Sequence, residues 1–196
     1  MARNENPPFP RGSTFGSGAT VASTDGPQYE GKEFLFEDNN PTTPGSFRSN
    51  SYVRCRVVRN NSGGALLGKK IAKLDKGGSA KQDNRSKVSG YTANPADKGY
   101  PIDEFLPSAG VPANDLFYIV VDGPALVTTD SAGATNVAVG QVIVPGATTT
   151  GSVVTQDTSQ TGANLFNQIQ NAIGKAMEAI NAVSTDFLLD VGGHIR

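Results

Sequence analysis

The sequence predicts a mainly β protein: a small barrel or sandwich core with an extended N-terminal arm and one C-terminal α-helix. Three observations lead there. The densest apolar run, Asp115-Leu-Phe-Tyr-Ile-Val-Val-Asp-Gly-Pro-Ala-Leu-Val-Thr-Thr129, is rich in the β-branched and aromatic residues that suit strands. Turn formers recur at short intervals, with 23 glycines and 12 prolines over 196 residues and no tryptophan. Only one stretch, beyond residue 160, changes from a two-residue to a helical period.

Residues 1–50 form the arm. They hold half of the prolines (Pro7, Pro8, Pro10, Pro27, Pro41, Pro44), and their apolar residues are scattered: Phe9, Phe15, Val21, Phe34-Leu35-Phe36 and Phe47. Such a segment closes no core of its own and should run extended. It reads either as a solvated tail or as an arm laid over a neighbouring subunit. The spaced phenylalanines favour the arm, because a tail has no need of them.

Residues 51–146 form the β core. In Ser51–Val58, alternation turns Val53, Cys55 and Val57 inward and Arg54 and Arg56 outward. Asn60–Gly64 turns the chain, and Ala65–Leu74 reads as a short strand with Lys69, Lys70 and Lys73 outside. Asp75–Ser89 reads as a polar loop, and Val88–Tyr91 and Tyr100–Phe105 as further strands. Gly123-Pro124 interrupts the central run, which predicts two strands with a tight corner between them. Asn136–Val144 adds a strand broken at Gly140 and ended by Pro145-Gly146.

Residues 147–196 begin as a Thr/Ser/Gly linker. Phe166, Ile169, Ile173, Ala176, Ile180 and Val183 then recur at spacings of three and four, predicting an amphipathic helix over about 162–184. Thr161 or Ser159 is placed to cap it, and Gly174 costs it about 1 kcal/mol relative to Ala. The stripe either lies on the β core or meets its own copies about a symmetry axis. Phe187–Val191 returns to strand.

Charge is segregated, although the net is only −1. Between Arg48 and Lys87 eleven bases stand against two acids, whereas the rest of the chain is acidic. This suits either docking on an acidic surface or a solvated strand face. A single cysteine excludes an internal disulfide, and no apolar run approaches a membrane span, so the expectation is a chain made in a reducing cytoplasm with no membrane partner.

No motif carries chemistry. Gly63-Gly-Ala-Leu-Leu-Gly68-Lys69-Lys70 matches a phosphate-loop spacing, but it lacks the Ser or Thr for Mg²⁺ and any helix to follow. Gly12, Gly16 and Gly18 follow no strand. His194 and Cys55 are too few for a transition-metal site, and Asp103 and Glu104 point to opposite faces of a strand. Asp130–Asn136 reads as a hairpin turn rather than a Ca²⁺ loop. Only Tyr52 and Tyr91 accompany the basic segment, which disfavours nucleic acid. The expectation is no enzyme, no metal and no cofactor.

The block Val53–Val144, with "RVVRNNSGGALLGKKIAKL", "YPIDEFLPSAGVPANDLFYIVVDGPALVTT" and "VAVGQVIV", resembles the head decoration (cement) proteins of tailed bacteriophages. That resemblance implies a β-tulip-like core and a homotrimer on the capsid exterior, bridging neighbouring major capsid proteins and reinforcing the head. On it, Phe34, Leu35 and Phe36, with Phe9 and Phe15, are the arm's capsid contacts, added as a strand at a capsid sheet edge. Arg54, Arg56, Lys69, Lys70 and Lys73 meet acidic capsid patches, and Phe166, Ile169, Ile173 and Ile180 form the helix stripe. Another trimeric virion or surface protein, such as a head-fibre base or an adhesin, is the alternative.

Overall fold

The computed structural model describes residues 9–15, 27–40, 42–43, 45–76, 83–95, 97–131, 136–159 and 161–192. A short 3-10 turn, Pro27–Tyr29, leads into β1 (Glu33–Asn39) and the long β2 (Phe47–Asn60). β3 (Ile71–Lys76), β4 (Asp83–Tyr91) and β5 (Gly99–Pro101) precede the central β6 (Leu116–Thr128). β7 (Val142–Pro145) and β8 (Val153–Thr155) follow, then α1 (Gly162–Gln170), β9 (Gly174–Ala176) and β10 (Asp186–Val191). The ladder runs β5-β3-β4-β2-β6-β10-β9-β7-β8, with β1 on β2. The fold is mainly β and sandwich-like as expected, but the sheet does not close into a barrel.

β6 explains that layout. Leu116, Tyr118 and Val120 join one apolar core and Phe117 and Ile119 the other, so both faces are buried and the sequence shows a continuous apolar run. The expected corner at Gly123-Pro124 is absent. The strand runs through it and changes partner: Leu116–Asp122 pairs with β2, and Gly123–Thr128 pairs with β10. Gly123 makes this possible, because it sits at φ +92° and a Cβ there would strike the Tyr52 carbonyl. The lone pair of glycine and proline twists the strand from one ladder into the next without reversing it.

Several expected elements are placed differently. β4 occupies much of the supposed polar loop at 75–89, and β8 lies in the supposed linker. The helix expected to reach residue 184 ends at Gln170. Beyond it, Gly174 approaches the Asp190 backbone too closely to admit a side chain, and β9 fills the gap between β10 and β7. Ala176 is buried in β9, with Lys175 beside it exposed, and Ile173 is buried just before that strand, so neither lies on a helical face.

The first fifty residues also differ from the extended arm. β1 pairs with β2 from Glu33↔Arg56 to Glu37↔Tyr52, and residues 9–15 pack on the same core. The described part of this region is therefore folded onto its own subunit. The aromatic rings find a shared apolar site within the chain, and burying them there outweighs leaving them for a neighbour.

Candidate contact surfaces

Residues 9–15 are fastened by aromatic and ionic contacts. Phe9 stacks on Phe15 at 4.4 Å between ring centroids, and Phe15 meets Tyr118 edge-on at 5.1 Å. The Tyr118 hydroxyl donates to the Phe9 carbonyl at 3.1 Å, and the Phe15 N–H donates to the Leu116 carbonyl at 3.0 Å. Arg11 lies over the Phe105 ring at 4.5 Å and donates through Nε to Asp103 Oδ1 at 3.0 Å. Gly12 N–H donates to Asp103 Oδ2 at 2.6 Å. Arg11 Nη2 is also 3.0 Å from Asp103 Oδ1 but out of hydrogen-bond line, so both Nη atoms lack a hydrogen-bond partner. Burial opposes the charge on Arg11, and the carboxylates of Asp103 and Glu104 more than offset that, raising its pKa.

A second ion cluster lies beside the first. Buried Asp38 on β1 accepts from Arg48 Nη2 at 2.6 Å, Arg48 Nε at 3.1 Å and Ser49 Oγ at 2.7 Å. Arg48 Nη1 reaches on to Glu104 Oε1 at 2.8 Å, and the Leu126 N–H donates to the other Glu104 oxygen. Burial raises the pKa of Glu104, against the pull of Arg11 and Arg48. Asp103 and Glu104 are thus structural anchors; they lie just past β5 (Gly99–Pro101) in a turn rather than on opposite faces of a strand, and sequence reading weighed them only as an acid–base pair. Burial also pushes the Cys55 thiol well above its usual value, leaving it protonated.

These contacts change where the expected contact residues stand. Phe15 and Phe34 are buried in their own core, with Phe9 and Phe36 packed against it, so of the five arm anchors only Leu35 is exposed. Phe34, Leu35 and Phe36 already belong to a strand paired with β2, so they do not form a loose strand awaiting a capsid edge.

Most of the basic residues are paired within the chain. Arg54 contacts Glu33 and Asp122 at 3.8 and 3.5 Å, and Arg56 pairs with Glu33. Lys69 reaches Asp186 at 2.6 Å and Lys73 reaches Asp97 at 2.9 Å. Lys70 makes no ion pair with a described residue. Six of the eleven bases between Arg48 and Lys87 thus pair with acids that lie ten or more positions away in the sequence.

Two exposed surfaces among the described residues bear on the expected contacts. On α1, no residue is buried; Phe166 and Ile169 are 59% and 54% exposed, while Ile173 is buried and Ile180 packs partly on the core. The expected stripe is split between an exposed helical half and a buried strand half. Thr161 occupies the N-cap position with extended backbone but makes no side-chain cap bond.

The other is a shallow, open groove lined by Glu37, Phe47, Ser49, Asn50, Ser51 and Tyr52. It arises because the β1–β2 register jumps: Glu37 faces Tyr52 and Asn39 faces Phe47, so Arg48–Ser51 bow out opposite Asp38 alone. Asp38 pins that bow from beneath through Arg48 and Ser49.

His194 lies outside the described residues. No described helix is long and apolar enough to cross a membrane.

No protein-family model matches the sequence, and no curated protein matches it. Among solved structures, the chain is similar to the head fibre gp8.5 N base of bacteriophage phi29, at 12% identity and a TM-score of 0.40. That match covers 71% of this chain and 93% of the other. At that identity and score it is a likeness only.

Proposed function

We propose that this chain is a virion structural protein: a non-enzymatic decoration or cement protein of a tailed-phage head. On this reading it assembles as a homotrimer and binds the outer surface of the major capsid protein lattice. The observation that carries the reading is α1. A nine-residue helix is marginal in water by itself, and this one buries none of its residues in its own chain while holding two large apolar side chains in solvent. A helix of that kind is made for a protein surface. From Gly162 to Gly174 it carries no charge, so its copies meet about an axis without repulsion. The sequence resemblance to head decoration proteins supplies the capsid as the setting. Leu35 and Lys70 are the remaining surface candidates from the arm and the basic segment.

The test is mass measurement of the purified chain, followed by co-sedimentation with expanded capsids. A mass of three chains and saturable co-sedimentation are expected. A monomer that stays in the supernatant overturns the proposal. A second reading, another trimeric virion or surface protein such as a head-fibre base or an adhesin, draws on the aromatic groove; a trimer without capsid affinity is its signature.

A further inference from the structure

We infer that the groove between Phe47 and Tyr52 binds a neutral carbohydrate. Its lining includes two aromatic rings, which are 58% and 60% exposed. Neither ring belongs to a core cluster. Between them the groove offers the Asn50 amide, the Ser51 hydroxyl and the Glu37 carboxylate, none of which hydrogen-bonds through its side chain to a described residue. The Ser49 hydroxyl is already committed to Asp38. Two apolar faces with a donor–acceptor amide, a hydroxyl and a carboxylate between them match a pyranose. The C–H face of such a ring is apolar and lies on an aromatic ring, and its hydroxyls both donate and accept.

The surrounding charge narrows the ligand. Glu37 repels an anionic sugar, and the nearest guanidinium groups are engaged elsewhere, Arg48 with Asp38 and Glu104, and Arg54 with Glu33 and Asp122. No free cation among the lining residues answers a sialate or sulfate. A peptide added as a strand fits poorly, because Arg48–Ser51 leave the β1 ladder and offer no regular row of backbone partners. The groove is also held before any ligand arrives. The buried Asp38 fixes the start of the bow through Arg48 and Ser49, and the Ser51 N–H donates to Ser49 Oγ at 3.1 Å. Little ordering is left for the ligand to impose, which favours a small ligand of weak intrinsic affinity.

The inference is independent of the capsid reading, because its test uses the isolated full chain. Maltotriose, cellotriose and triacetylchitotriose are titrated separately, followed by tyrosine fluorescence and calorimetry, with sialyllactose and a decaproline peptide as contrasting probes. The expected result is saturable binding of at least one neutral trisaccharide, weakened about tenfold or more in Phe47→Ala and Tyr52→Ala. Both rings are over half exposed, so both variants should melt like the parent, and the loss is then read as lost contact. The inference is overturned if none of the three sugars saturates the chain up to about 10 mM. It is equally overturned if both variants bind as the parent does, or if decaproline binds the groove and the sugars do not.

Discussion

Residues 9–15 and α1 make an instructive pair. The first is a short irregular segment, and it is held by a ring stack, a buried ion pair and three hydrogen bonds through its backbone atoms. The second is a regular helix that buries none of its residues fully, with Phe166 and Ile169 more than half exposed. Regularity of backbone and depth of anchoring are separate properties here. A segment with no hydrogen-bond ladder is fixed by a few contacts of high energy, because a buried charge cannot be left alone. A helix satisfies its own backbone and can therefore stand in solvent until another surface meets it.

The comparison is broken most directly at Asp103, whose side chain is fully buried against Arg11. Asp103→Ala leaves Arg11 as an uncompensated buried charge and should cost about 3–5 kcal/mol, read from the denaturant midpoint. A loss well under 1 kcal/mol would mean that the segment is not held by charge.

Glu104 gives a subtler effect. Burial places its folded pKa above its unfolded value, so the stability linked to it is fully present below about 4.5 and is lost as pH rises through the folded pKa. In Glu104→Gln this loss is removed. The stability of the parent minus that of the variant should therefore fall from pH 4.5 toward neutrality, measured as urea midpoints across that range. A difference that rises with pH would show that Arg48 governs the site.

The smallest stability effect belongs to α1. Phe166→Ser with Ile169→Ser should change the unfolding free energy by no more than about 0.5 kcal/mol while abolishing self-association in sedimentation velocity. A large loss in a chain that stays monomeric throughout would place α1 against its own core instead.

Much of the strand content was legible. Val53, Cys55 and Val57 alternate inward and all are buried, and Phe187–Val191 falls on β10. The path of residues 9–15 was not legible, because isolated aromatics have no period and the partner of Arg11 lies 92 positions away. The Arg48 cluster was hidden for the same reason, with Glu104 56 positions along. The stripe after residue 160 misled differently. Spacings of three and four describe a helix, but Ile173 and Ala176 serve equally in an irregular strand once Gly174 lets two backbones touch. The groove was invisible because it depends on a register jump, and pairing register is not written in either strand alone.

The switch of partners within β6 has a consequence for biogenesis. Its first half can zip onto β2 as soon as the ribosome releases it, since β2 is already made. Its second half has to wait for β10, which is synthesised long afterwards. Until then Gly123–Thr128 presents a bare apolar edge of the kind that recruits strangers. Contacts this remote in sequence also form slowly. Nascent chains should therefore be vulnerable to clumping in that interval, and a release of translation before β10 should leave an insoluble product rather than a shorter working one.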